Sequence, residues 1–175
     1  MARFPLHWDH NRRENGACAY GASRLFGYDI PFERALDLIE ERVLPGRLET
    51  LVREGQTFIL DGAHNQGAAC KLKESIDGVD AVIVGINEDK NALEILKALS
   101  PLSDRWITTA SESERALEPS GLAQMIRSLN AVKRVTSCES INEAIAASAG
   151  CKRVLICGSL YLVGEARTIL HRKNS

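Results

Sequence analysis

Thr57-Phe58-Ile59-Leu60-Asp61-Gly62-Ala63-His64-Asn65 is a short apolar run that stops at an acid and turns through a small polar loop. The run has the length and composition of a buried strand, and residues 65–76 behind it have the spacing of a helix. Ala81-Val82-Ile83-Val84 then repeats the strand, and 91–99 repeats the helix. The alternation returns at 106–109 with a helix from about 120 to 129, at 132–136 with 141–149, and at 154–157 with 161–170. Parallel neighbours need long crossovers, so five strand–helix units predict a parallel sheet with helices on both faces. The strands are mostly apolar throughout, as strands covered on both faces should be.

Upstream the pattern changes. Residues 11–26 and 32–43 read as two helices with no strand between them. Ala17, Tyr20, Ala22 and Leu25 give the first a mostly small face suited to close packing, and Ala35, Leu36, Leu38 and Ile39 give the second an apolar stripe. Pro31 stands at the start of the second helix. Pro45-Gly46 is the natural boundary, dividing a helical segment (1–44) from the alternating domain (45–175). Residues 48–52, turning at Glu54-Gly55 into the first parallel strand, predict one antiparallel edge strand. The expected class is therefore α/β: a Rossmann-like, mostly parallel sheet with one antiparallel edge, preceded by two helices.

Of the 175 residues, 45% are apolar and 26% charged, which permits a soluble core without disulfides or metals. A net charge of -1 gives no electrostatic reason to expect nucleic acid or an anionic membrane as partner. No apolar run reaches bilayer length, and residues 1–6 lack the apolar segment of a secretory signal. The five cysteines are scattered, with no C-x-x-C pair, which predicts reduced thiols in the cytoplasm, each acting as a small buried hydrophobe.

In an open α/β sheet, ligands bind beyond the carboxyl ends of the strands. The loops 61–65, 85–90 and 158–161 should therefore line one edge. Asp61 sits where a carboxylate can accept from ribose hydroxyls, or can form a turn or helix cap. His64 suits a carboxylate or phosphate contact, or is an exposed loop histidine. Ser159 follows Gly158 and precedes a helix, so it either joins an anion site at the helix N-terminus or only caps it. Arg47 beside the domain boundary offers a planar fork for phosphate oxygens, or is a solvated surface group. His7-Trp8-Asp9-His10 has no third ligand fixed nearby, so no metal site is expected there. The sequence contains no G-x-S-x-G, no G-x-G-x-x-G and no G-x-x-x-x-G-K-[ST], hence no recognised cradle for a triphosphate.

Taken together, Pro45-Gly46-Arg47-Leu48-Glu49, Leu60-Asp61-Gly62-Ala63-His64-Asn65 and Gly158-Ser159-Leu160-Tyr161-Leu162-Val163-Gly164-Glu165 resemble successive signatures of folylpolyglutamate and dihydrofolate synthases, members of the Mur ligase superfamily. Asp89-Lys90 after Gly85 is similar to the family's Asp-Lys-Asp loop, and Arg115-Ala116-Leu117 to its Arg-Ala-Leu segment. His10 and Asn15 resemble the His-Gln-x-x-Asn-Ala stretch that closes the family's central domain. The departures are Gln66 for proline, Asn91 for the second acid and Asn11 for glutamine.

The resemblance implies an ATP-dependent ligase in which this C-terminal domain closes over a P-loop ATPase domain. ATP phosphorylates a pterin or folate carboxylate, and the amine of L-glutamate displaces phosphate to give an amide. It implies Mg²⁺, with ligands in the N-terminal part that has no counterpart here. By resemblance Arg47 reaches the ATP phosphates, Asp61 the ribose and Asn15 the adenine or ribose side, while His64 and Ser159 hold glutamate. No residue is assigned as catalytic or as a metal ligand. Residues 1–44 would be a helical remnant of the central domain. The expected partners are ATP, L-glutamate, folate or dihydropteroate, and the P-loop domain in cis or in trans; alone, the chain should show no ligase turnover. A silent nucleotide-binding, amino-acid-binding or partner-docking module is the alternative. A redox enzyme of this class is disfavoured by the missing glycine fingerprint.

Overall fold

Alternate residues of the central strands divide the core in two, and this division fixes where each helix lies. Our computed structural model describes residues 10–40, 44–129 and 134–172. It separates into two compact units, 1–44 and 45–175.

The larger unit holds six strands: β1 (Glu49–Arg53), β2 (Gln56–Asp61), β3 (Ala81–Val84), β4 (Arg105–Thr108), β5 (Arg134–Ser137) and β6 (Arg153–Cys157). They form one sheet in the order β1-β2-β6-β3-β4-β5. Only the β1–β2 pair is antiparallel. The two-residue turn Glu54-Gly55, both at positive φ (52° and 77°), joins them and matches the twist of a hairpin. The helices are α3 (Gln66–Ser75), α4 (Ala92–Leu99), α5 (Pro119–Ser128), α6 (Ile141–Ala147) and α7 (Leu160–His171).

Ile59, Val82, Val84, Leu155 and Trp106 point to one face, where α3, α4 and α5 cover them through Leu72, Ile95, Leu99, Leu122 and Ile126. Phe58, Leu60, Ile83, Val154 and Ile156 point to the other, covered by α6 and α7 through Ile141, Ala144, Leu162 and Ala166. The crossovers β2 to β3, β3 to β4 and β4 to β5 run in one direction and place their helices on one face; the return from β5 to β6 uses the other. Among the described residues the largest buried side chain is Trp106, whose Nε1 donates to Ser103 O at 2.8 Å, so the ring is buried without an orphaned donor.

The fold class agrees with the sequence reading, and boundaries shift by a residue or two. Asn65, Asn91, Ser140 and Ser159 prove to be N-caps, each accepting a backbone N–H two or three residues on. The segment 130–133, which includes the predicted start of β5, lies outside the described residues.

In the smaller unit, α1 (His10–Leu25) and α2 (Phe32–Glu40) meet through an edge-to-face contact of Tyr20 on Phe32, with centroids 5.2 Å apart. The small face expected to pack closely does not: Ala17, Ala22 and Leu25 are exposed, because a two-helix unit covers only one flank of α1. The predicted end of α2 (41–43) and the His7-Trp8-Asp9 stretch lie outside the described residues.

The cysteines also require correction. Cys138, Cys151 and Cys157 are buried, but Cys18 and Cys70 are exposed on the surfaces of α1 and α3. Burial, aided by the nearby Asp61 charge, pushes the Cys157 thiol far up. An alkylating reagent should therefore add twice to the native chain and five times after unfolding, read by intact mass. A third rapid adduct on the native protein would contradict the packing described.

Candidate functional site

Because β6 lies between β2 and β3, the loops that follow these three strands meet at the carboxyl edge of the sheet. Gly158 makes the approach possible. It has φ 103°, and a Cβ there would stand 2.5 Å from Gly85 O and 3.0 Å from Ile86 Cγ1. Backbone thus packs on backbone at the start of α7.

A fourth segment joins them. Glu88 N donates to Arg115 O at 2.8 Å and Leu117 N to Ile86 O at 2.9 Å, around an isolated antiparallel bridge between Asn87 and Ala116. The result is a cleft of about 180 Å³, lined by His64, Asn87, Asp89, Lys90, Arg115 and residues 158–161.

His64 Nδ1 lies 2.8 Å from Gly62 O. A carbonyl only accepts, so Nδ1 carries a proton and the Nε2 edge is the one left for other contacts. Ser159 Oγ accepts from Tyr161 N at 3.2 Å and caps α7, whose first N–H groups face this edge of the sheet. Lys90 Nζ is 2.7 Å from Asp89. That hydrogen bond first, with the Lys90 and Arg115 charges adding to it, holds the Asp89 carboxyl below its ordinary range. Two cations thus face one acid. Asn87 is only 8% exposed, and its Oδ1 has no hydrogen-bond partner. A buried acceptor left unpaired is costly, and a ligand donor would satisfy it.

Asp61 and Arg47 come together beside this cleft. Asp61 Oδ1 accepts from Ala63 N at 2.9 Å and Oδ2 from Leu48 N at 3.0 Å, so the carboxylate ties the turn after β2 to the start of β1. Burial pushes its pKa up, against the pull of those two N–H groups and of Arg47. Arg47 itself is exposed; its Nη1 lies 3.5 Å from where a Cβ on Gly62 would stand. Glu49 braces the same turn, accepting from Gly46 N at 2.8 Å and from Arg167 Nε at 2.8 and 3.0 Å. Burial opposes ionisation of Glu49, but the Gly46 N–H and Arg167 outweigh it and lower its pKa.

Of the five residues singled out in the sequence, His64 and Ser159 share the cleft, and Arg47 and Asp61 form the adjoining pair. Asn15 is exposed on α1 in the smaller unit. Asp61 and Ser159 both hold the local backbone, as turn former and cap. Asn87, Lys90 and Arg115 were assigned no role from sequence, although Lys90 and Arg115 lie in the two weaker motif matches. Asn91, in place of an acid, caps α4 by accepting from Glu94 N, a task aspartate performs equally well.

Residues 46–160 match the family described as Mur ligase, glutamate ligase domain. A probable bifunctional folylpolyglutamate synthase/dihydropteroate synthase of Haloferax volcanii is 30% identical over 173 residues, spanning 95% of this chain and 20% of that protein. Mycobacterium tuberculosis folylpolyglutamate synthase complexed with ADP superposes with a TM-score of 0.81 at 26% identity, over 98% of this chain and 42% of that one. The bifunctional folylpolyglutamate synthase/dihydrofolate synthase solved with Mn, AMPPNP and L-glutamate bound gives 0.69 at 25% identity, over 88% and 39%. The chain thus spans well under half the length of these relatives.

Proposed function

Since the chain belongs to the Mur ligase glutamate ligase domain family, we propose that it supplies the nucleotide-closing and glutamate-binding half of an ATP-dependent ligase that adds L-glutamate to a pterin or folate carboxylate. The observation that carries this reading is the cleft itself. Lys90, Arg115 and the N-terminus of α7 suit carboxylates, while the unpartnered Asn87 Oδ1 suits the donor hydrogens of an amino group. The ligase solved with L-glutamate, whose fold this chain shares, supports it.

In the reaction so proposed, the glutamate nitrogen forms a bond to the acyl carbon, the carbon–oxygen bond to phosphate breaks, and the nitrogen gives up a proton. His64, held 2.8 Å from Gly62 O through Nδ1, and Ser159 would help hold the incoming glutamate. Arg47 would meet the ATP phosphates, Asp61 the ribose and Asn15 the adenine or ribose side. Asp61 retains a further lone pair on each oxygen for that contact. Mg²⁺ would find its ligands in the N-terminal part of the ligase, so no Mg²⁺ ligand is assigned to this chain. Residues 1–44 we read as the helical remnant of the central domain, since the superposition on the ADP complex extends over 98% of the chain. Turnover would require the P-loop domain in cis or in trans.

Titration of the 175-residue chain with L-glutamate, followed by amide NMR, tests the reading. Saturable shifts are expected at 64, 87–90 and 158–161, with L-glutamine binding less tightly. Lys90→Ala and Arg115→Ala should each weaken binding by about tenfold, the loss of one charge-assisted contact. Amides of the cleft left unmoved at the solubility limit would remove the glutamate assignment.

A further inference from the structure

The sheet has a second crevice. The helix after β4 lies on one face and the helix after β5 on the other, so the chain parts beyond the carboxyl ends of these two neighbours. Such topological switch points are where open α/β sheets bind ligands. Here the opening is a cleft of about 420 Å³, separate in its lining from the first. It is walled by Ser111 and Glu112 after β4, by Glu139 and Asn142 after β5, and by Glu165 of α7.

Its chemistry is opposite to that of the first cleft. Three carboxylates line it (Glu112, Glu139 and Glu165), and Arg172 is the only cation among the described lining residues. Glu165 Oε1 accepts from Glu112 N at 2.8 Å, which fixes the β4 loop against α7. Burial pushes the Glu165 carboxyl up, the Glu112 N–H pulls it down, and the Glu112 charge pushes it up again. Ser111 is only 8% exposed, and its Oγ has no hydrogen-bond partner. A buried hydroxyl normally finds one, so this oxygen has its lone pairs and its O–H both unpaired, in a field that favours positive charge.

We propose that this cleft is a second binding site of the domain, taking a small organic cation with a primary ammonium group, held by Glu112 and Glu165 and accepted by Ser111 Oγ. The concave shape and volume suit a small molecule, and the carboxylates reject an anion such as the one the first cleft attracts. Occupancy would also stiffen the link between the β4 loop and α7.

The test is an amide NMR titration of the 175-residue chain with cadaverine, against pentanol, glutarate and sodium chloride at matched ionic strength. Saturable shifts confined to the neighbourhood of 111–112, 139–142 and 165–172 are expected for cadaverine alone. Glu112→Gln with Glu165→Gln should weaken binding by about tenfold or more, and Ser111→Ala by about threefold with unchanged melting. Should the double variant fail to fold, Glu139→Lys on the exposed rim replaces it and should abolish binding. Equal shifts from sodium chloride, shifts spread over every acidic surface, or undiminished binding by the carboxylate variants would each overturn the site.

Discussion

Gly158→Ala is expected to cost about 3 kcal/mol or more, a large share of the ~5–15 kcal/mol that holds a domain of this kind together. Two effects add. At φ 103° the backbone adopts a conformation that L residues rarely populate. The new Cβ would also lie 2.5 Å from Gly85 O, a backbone atom of the central strand's continuation that has no rotamer to escape into. Gly150→Ala separates the two. Gly150 has a similar φ of 82° with no atom within 4 Å of its would-be Cβ, so only the conformational cost of about 1 kcal/mol should remain. Urea unfolding of both variants measures the difference. Equal midpoints would mean that the β3 and β6 loops are not in backbone contact, and the first cleft would lose its floor.

Asp61→Ala should cost about 2–4 kcal/mol, because it orphans two backbone N–H groups at once, those of Leu48 and Ala63. Leu48 is itself a non-glycine residue at positive φ (48°), a conformation that persists only while its surroundings hold it. Asp61→Asn keeps one acceptor oxygen and should cost about half as much. The pH dependence carries a distinctive sign. Burial raises the folded pKa of Asp61, so the folded state takes up the proton more readily than the unfolded chain. The resulting stabilisation is complete below the unfolded value of about 3.9 and is lost as pH rises through the folded pKa. The margin of wild type over Asp61→Asn should therefore grow on acidification from neutrality towards that value. A margin that shrinks instead would show that the N–H groups, and not desolvation, govern this carboxylate.

The fold was legible in the sequence where one interaction dominates. Strands covered on both faces must be apolar, and 57–60, 81–84 and 154–157 announce themselves in that way. β5 is an exposed edge, with Arg134, Thr136 and Ser137 facing water, so neither its register nor its limits could be read from hydrophobicity. The starts of α3 and α4 moved because Asn65 and Asn91 look helical by position yet act as caps; Ser159 was legible as a cap. Asp61, His64 and Ser159 could be placed because each sits at a strand end, where topology alone makes neighbours of distant loops. Lys90 came to the same edge with the loop 85–90, but Arg115 could not be placed, since the bridge between Asn87 and Ala116 is a tertiary pairing with no period to reveal it. The exposed Cys18 and Cys70 failed for a similar reason: whether a helix flank is covered depends on what else packs there.

The position of β6 has a further consequence for how the domain is made. The last strand of the chain inserts between β2 and β3, pairing Thr57 with Arg153 and Ala81 with Val154. Until residues 153–157 leave the ribosome, β2 and β3 have no shared neighbour, and only the β1–β2 hairpin can form by local contact in microseconds. Until then the edges of β2 and β3 that β6 joins stand open. Sheet closure is thus a contact of long sequence separation, the kind that chain entropy makes slow to form.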